Sequence, residues 1–279
     1  MEAGLVAILL IAANVLVSYR GFQSPSYLDA YSFKVDDILV DKDYKRLATS
    51  GFLHVSWTHL FFNMMTLYFF SSGLEDSLGA LKFLTIYFGS LVGGDLFSLY
   101  VHRQHGDYCA VGASGAISGV VFASIALFPG MGISFFGLPF FIPAWLYGFL
   151  YVLYSVYGIK SKRDNIGHEA HLGGGLVGLL IAVMLEPNSL LVNYLPILFI
   201  LIPSGIFIFL IVTRPEFLLT ENFFRKKEPH LTIDQQYNME MRNRDKELNT
   251  LLEKIGKTGF VSLTPLEKER LRQLSGERK

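Results

Sequence analysis

The sequence predicts an all-α polytopic membrane protein that ends in a charged helical tail, and three observations predict it. Apolar residues make up 51% of the 279-residue chain and mean hydropathy is +0.39, too greasy for an ordinary soluble domain of this length. Those residues gather in seven runs that approach the roughly 20 needed to carry a helix through about 30 Å of hydrocarbon. Charge, by contrast, sits in the connections and the C-terminal region, and it sums to zero.

The first run, Gly4 to Ser18, has no basic segment before it, and Val17-Ser18-Tyr19-Arg20 is a poor cleavage site. It therefore reads as a membrane helix rather than a signal peptide. Its Asn14 requires a neighbouring helix or water as partner. A long connection, Gly21 to Ser56, mixes charges with Tyr27, Tyr31, Phe33 and Tyr44, the composition of a segment lying in the membrane interface. Further spans follow at Trp57 to Ser71, Leu81 to Val101, Gly112 to Pro129, Ile133 to Tyr157, Leu172 to Leu185 and Leu190 to Val212.

Beyond Val212 the composition turns charged. Leu248, Leu251, Leu252 and Ile255 fall on one helical face, with Gly256 as the expected stop. Thr264-Pro265-Leu266-Glu267 reads as a capping box with proline at the first helical position. A small soluble helix pair is expected there, suited to docking an unknown protein partner or to regulation. With no net charge and no basic block among aromatics in the membrane part, nucleic acid is not an expected partner. The single cysteine, Cys109, can form no internal disulfide and makes a poor zinc site, so neither metal nor cofactor is expected.

Polar side chains inside apolar spans are costly, and each is a candidate for function. In the second span, His59 and Asn63 lie four apart on one face, which must look toward protein or water. The fourth span opens VGASGAISG. There Ser114 is flanked by glycine, and Gly115 with Gly119 forms a small-residue face suited to close helix packing. In the sixth span, HEAHLGGGLVG, His171 shares a face with Gly174 and Gly178. If the two glycine faces pack together, Ser114 and His171 come within hydrogen-bonding reach as a nucleophile and its general base. Glu169 points elsewhere on the helix, so a Ser/His dyad is the economical reading. Asp95, alone in the third span, is open as a functional group or a buried, paired carboxylate. His168 and His171 are three apart, not the four of HExxH, which argues against a metalloprotease. No strand pattern precedes Ser114, which argues against an α/β-hydrolase elbow. A transporter would need an internal repeat, and none is visible.

Taken together, Arg46-Leu47, Phe52-Leu53-His54, His59 to Asn63, Gly73 and Glu75, Gly112 to Gly115 and Ala170 to Gly178 come in an order that resembles the rhomboid family of intramembrane serine proteases. The resemblance implies a six-helix core, here over 1–188; beyond it the sequence adds a transmembrane helix over 189–213 and a soluble charged helical tail over 214–279. It implies Ser114 and His171 as the dyad, with a covalent acyl-enzyme, and His59 and Asn63 as donors to an oxyanion. It also implies transmembrane proteins as substrates, a partly embedded first loop, a fifth helix that gates substrate entry, and a multi-pass home in a plasma or inner membrane. A catalytically silent rhomboid-like protein that binds membrane helices is the alternative, and it predicts loss of Ser or His; both are present.

Three departures stand out. The family often carries an aromatic four residues after the nucleophile to stack on the base, and here that place is Ser118. Lys45-Arg46 stands where Trp-Arg is usual, a weaker anchor. The seventh span puts the tail on the side of the first and fifth loops; there Lys160, Lys162, Arg163, Arg214, Arg225, Lys226 and Lys227 indicate cytoplasm, whereas the family orientation implies the opposite side.

Overall fold

A computed structural model describes residues 4–134, 141–161, 166–213 and 247–276. The residues between 213 and 247, with Lys162, Arg163, Arg214, Arg225, Lys226 and Lys227, lie outside the described residues. The chain divides into two compact units, Met1–Lys226 and Lys227–Lys279.

The first unit is a helical bundle. Its long helices are α1 (Leu5–Gln23), α5 (Trp57–Leu78), α6 (Ala80–His102), α7 (Ser114–Leu127), α8 (Ala144–Ser161), α9 (His168–Leu185) and α11 (Tyr194–Thr213). Short helices α2 (Pro25–Tyr31), α3 (Val35–Leu39), α4 (Arg46–Thr49) and α10 (Ser189–Val192) lie in the connections. Among the described residues, α1, α6, α9 and α11 are long and apolar enough to cross a membrane, and α7 is a shorter apolar helix. Large apolar side chains such as Leu9, Leu16, Phe61, Phe69, Met184, Ile202 and Phe209 face outward, a surface that lipid rather than water would cover. The chain is a polytopic helical membrane protein.

The helix α7 is central. Every residue from Gly115 to Ala126 is buried, as expected for a helix apolar on all sides. It packs closely on α9 because glycines remove the side chains between them. A methyl group on Gly178 would lie 2.5 Å from the Gly119 carbonyl oxygen, and one on Gly119 would lie 2.9 Å from that of Gly174. On the adjoining side α6 brings Gly94 to the backbone of Gly174 and Ala170. Three helices thus meet backbone to backbone, the geometry small residues permit in a membrane. At the far end Asn193 Nδ2 donates to the carbonyls of Ala126 (3.0 Å) and Leu127 (3.2 Å), which the end of α7 leaves without helical partners.

Side chains also set the helix starts. The Glu75 carboxylate accepts from Val6 N (2.8 Å) and Ala7 N (2.9 Å), capping α1 from α5. Ser56 Oγ accepts from His59 N (3.1 Å) and caps α5. Gly79, at φ +79°, turns α5 into α6 in one residue, a conformation natural to glycine.

Two regions differ from the sequence reading. The apolar run at 133–157 does not open as a helix: β3 (Gly132–Ser134) pairs antiparallel with β4 (Phe141–Pro143), and α8 begins only at Ala144. Pro143 in that run disfavours helix interior, so apolar content alone overextended the span. The first connection is also better anchored than Lys45-Arg46 suggested. Arg46 is buried; its Nη1 donates to the carbonyls of Asp29 (2.8 Å) and Ser32 (2.7 Å), Nη2 meets Asp37 at 2.7 Å and Nε meets Asp43 at 3.1 Å. One guanidinium with its fixed fork of donors holds the loop without the tryptophan.

In the second unit, α12 (residues 247–258) and α13 (Pro265–Gly276) pack through Leu251, Leu263 and Leu274, with Leu248, Ile255 and Leu271 alongside. The box at the start of α13 closes reciprocally, Thr264 N donating to Glu267 Oε2 (2.8 Å) and Glu267 N to Thr264 Oγ1 (3.3 Å). Gly256 is not the stop: the helix runs to 258, and Gly259 at φ +81° breaks it. Leu252 is exposed rather than part of the packed face.

Candidate active site

Ser114 is the first residue of α7, and His171 sits one turn into α9. The contact of their two glycine faces brings His171 Nε2 to 2.6 Å from Ser114 Oγ. Being at the start of α7, Ser114 lies beside backbone N–H groups that have no helical acceptor and at the positive end of the helix dipole. Ahead of it is a two-residue strand that the sequence did not signal, β2 (Cys109–Ala110), antiparallel to β1 (Phe33–Lys34) of the first connection. Gly112, at φ +137°, then turns the chain into the helix, and its N–H donates to the Ser50 carbonyl (3.0 Å).

His59 reaches the same place from α5. A methyl group on Gly112 would lie 2.9 Å from His59 Cε1 and 3.5 Å from Ser114 Oγ, so only a bare glycine backbone stands between the two. Asn63 is buried one turn along the same helix. The arrangement therefore brings a hydroxyl and an imidazole within proton-transfer distance, with the His59 ring close by across Gly112.

His54 backs His59, their rings 4.8 Å apart and nearly perpendicular. Ser18 Oγ donates to the Phe52 carbonyl (2.9 Å), which leaves His54 Nδ1 as donor to Ser18 (2.8 Å). Burial, reinforced by the neighbouring His59, holds the His54 imidazole down at about 3. The folded protein thus keeps it neutral while the unfolded chain takes up a proton below about 6.5, so its contribution is full above 6.5 and shrinks as pH falls. We expect the His54 contribution to cost about 2 kcal/mol of stability between pH 7 and pH 5. Melting curves of the wild type and His54→Gln check this; an equal pH slope in both would refute it.

Other candidates fall outside the dyad. Glu169 faces away from Ser114 and pairs with His102 of α6 (3.4 Å), whose ring stacks on Tyr108 at 3.5 Å. Asp95 is half-buried and hydrogen-bonded: Ser50 Oγ donates to its Oδ2 (3.0 Å), and because the Ser50 carbonyl receives Gly112 N–H, Asp95 supports the segment leading to Ser114. Among the described residues no group of three His, Cys, Asp or Glu could hold a metal ion.

The sequence reading assigned Tyr151 no role. Its ring, on α8, lies nearly parallel to that of His171 (22°, centroids 6.3 Å apart), and its hydroxyl meets Ser118 Oγ at 2.7 Å. The signal available in the sequence was indirect: a small Ser118 leaves room for an aromatic from another helix.

The family model described as the Rhomboid domain matches residues 41–188, and a family of unknown function (DUF6576) matches residues 231–277. The chain is 33% identical over 150 residues to Rhomboid protein 1, mitochondrial, of Saccharomyces cerevisiae, covering 51% of this chain and 43% of that protein. It is 28% identical over 185 residues to RHOMBOID-like protein 12, mitochondrial, of Arabidopsis thaliana, covering 60% and 54%. It is 28% identical over 208 residues to Rhomboid protease AarA of Providencia stuartii, covering 65% and 73%. The chain thus spans about half the length of the first two relatives.

Proposed function

The chain belongs to the rhomboid family, and from that premise we propose that it is an intramembrane serine protease that cleaves transmembrane segments of other membrane proteins. The observation that carries the proposal is the 2.6 Å approach of His171 Nε2 to Ser114 Oγ at the start of a buried helix.

In this reading His171 Nε2 takes the Ser114 proton as Oγ attacks the scissile carbonyl carbon. The oxyanion formed meets His59, Asn63 and the first N–H groups of α7, donors fixed before the reaction and needing no reorganisation. Collapse of the tetrahedral species breaks the C–N bond, and the departing amine takes the proton from His171. A water, deprotonated by His171, then releases the acyl group and restores Ser114. The substrate segment must unwind at the cleaved bond, because a regular helix buries its carbonyls among its own hydrogen bonds.

The proposed organisation is a six-helix core over 1–188, a seventh membrane helix over 189–213, and a tail over 214–279 with an unidentified protein partner. The plasma or inner membrane is proposed as its location; fractionation of the tagged chain tests it.

A fluorophosphonate probe is expected to label wild-type protein at Ser114 and to fail on His171→Ala. Labelling of His171→Ala at the wild-type rate would overturn the dyad. His59→Ala and Asn63→Ala are each expected to lower kcat by about a hundredfold with little change in melting temperature. Wild-type turnover in both would remove them from the oxyanion site.

A further inference from the structure

We infer that Tyr151 is a positioning residue for the dyad, supplied by α8 in place of an aromatic on α7; the inference rests on the protease reading above. Three contacts carry it. The phenol ring lies 22° from parallel to His171, an offset stack that limits rotation of the imidazole away from Ser114. Ser118 Oγ donates to the Ser114 carbonyl (2.7 Å), and a hydroxyl has one proton to give, so Tyr151 is the donor in its 2.7 Å bond to Ser118. The chain of bonds therefore runs from the α8 phenol through Ser118 to the backbone of the nucleophile itself. Phe122 (5.7 Å, edge-on) and Tyr147 (6.1 Å) brace the same ring.

One residue on α8 thus reaches both halves of the dyad, the base through its ring and the nucleophile's peptide through its hydroxyl by way of Ser118. Neither α7 nor α9 alone fixes the Ser114–His171 geometry, and docking of α8 completes it. The ring and the hydroxyl have separable roles. Ring loss frees the imidazole, and misplacement of a reacting group by about 1 Å costs on the order of a hundredfold in rate. Loss of the hydroxyl alone leaves the stack in place.

The test compares full-length protein reconstituted with a single-span substrate. Tyr151→Leu is expected to lower kcat by about ten- to a hundredfold with KM within about twofold, and to slow fluorophosphonate labelling of Ser114 in parallel. Tyr151→Phe removes the Tyr151–Ser118 hydrogen bond and Ser118→Ala removes both that bond and the one to Ser114, so each is expected to give a smaller loss, and the double variant no more than Ser118→Ala alone. Because Tyr151→Leu could disturb folding, the Phe and Ala variants carry the result independently. Wild-type kcat in Tyr151→Leu, or additive losses in the double variant, would overturn the positioning role while leaving the protease reading intact. A wild-type protein without Ser114-dependent cleavage would overturn that reading first, and with it any base to position.

Discussion

On the protease reading, Ser114→Ala is expected to lower cleavage of a reconstituted single-span substrate on the order of 10⁶-fold, while the protein still folds and melts near the wild-type temperature. The asymmetry follows from the site. The hydroxyl is the only atom lost, and its direct bond to His171 at 2.6 Å is worth about 1 kcal/mol to stability, whereas the covalent intermediate has no other nucleophile to form on. His171→Ala is expected to give a comparable loss, and the double variant little more, if the two act as one unit as proposed. Measuring product release alongside thermal unfolding in detergent separates the effects. Residual cleavage by Ser114→Ala at more than a small fraction of the wild-type rate would move the chemistry to another residue.

The second large effect comes from a residue that touches no substrate. In Gly178→Ala, the new methyl group would sit 2.5 Å from the Gly119 carbonyl oxygen and 2.6 Å from its carbonyl carbon, both rigid backbone atoms of α7. The helices must separate, at a cost of about 1–3 kcal/mol or more. Since α7 carries Ser114 and α9 carries His171, the same separation is expected to lengthen their contact and, on the protease reading, to lower kcat on the order of a hundredfold. Gly205→Ala on α11 is the control: its methyl group meets nothing within 4 Å, so neither stability nor turnover falls. A Gly178→Ala protein with wild-type melting and turnover would mean that α9 can tilt away from α7 without cost.

The long elements and the close α7–α9 contact were legible because each follows from a local pattern. Apolar runs mark helices, and Gly115/Gly119 against Gly174/Gly178 mark faces that can meet. The contacts that join distant positions were not. Asp95 and Ser50 are 45 residues apart, and Tyr151 and Ser118 are 33 apart, so no periodicity links either pair. Asp95 announced that it needed a partner by lying in an apolar span, but only tertiary packing names Ser50. The β1–β2 pairing was equally hidden, since two-residue strands have no alternation to read. The strength of the Arg46 anchor depends on four acceptors gathered from across the first connection, which a dipeptide cannot reveal.

The unequal lengths of the packed helices turn the bundle into a depth gauge. Ser114 lies near the level where Gly94 of α6 meets Ala170 of α9, yet α6 continues another eight residues to His102, about 12 Å at 1.5 Å per residue. The shorter α7, held at its other end by Asn193, leaves the nucleophile that far below the rim of its neighbour. On the protease reading, a scissile bond is expected to be chosen by its distance from the end of α6 as well as by its side chains. Shifting a susceptible sequence by one helical turn along a substrate span moves it about 5 Å past the blade.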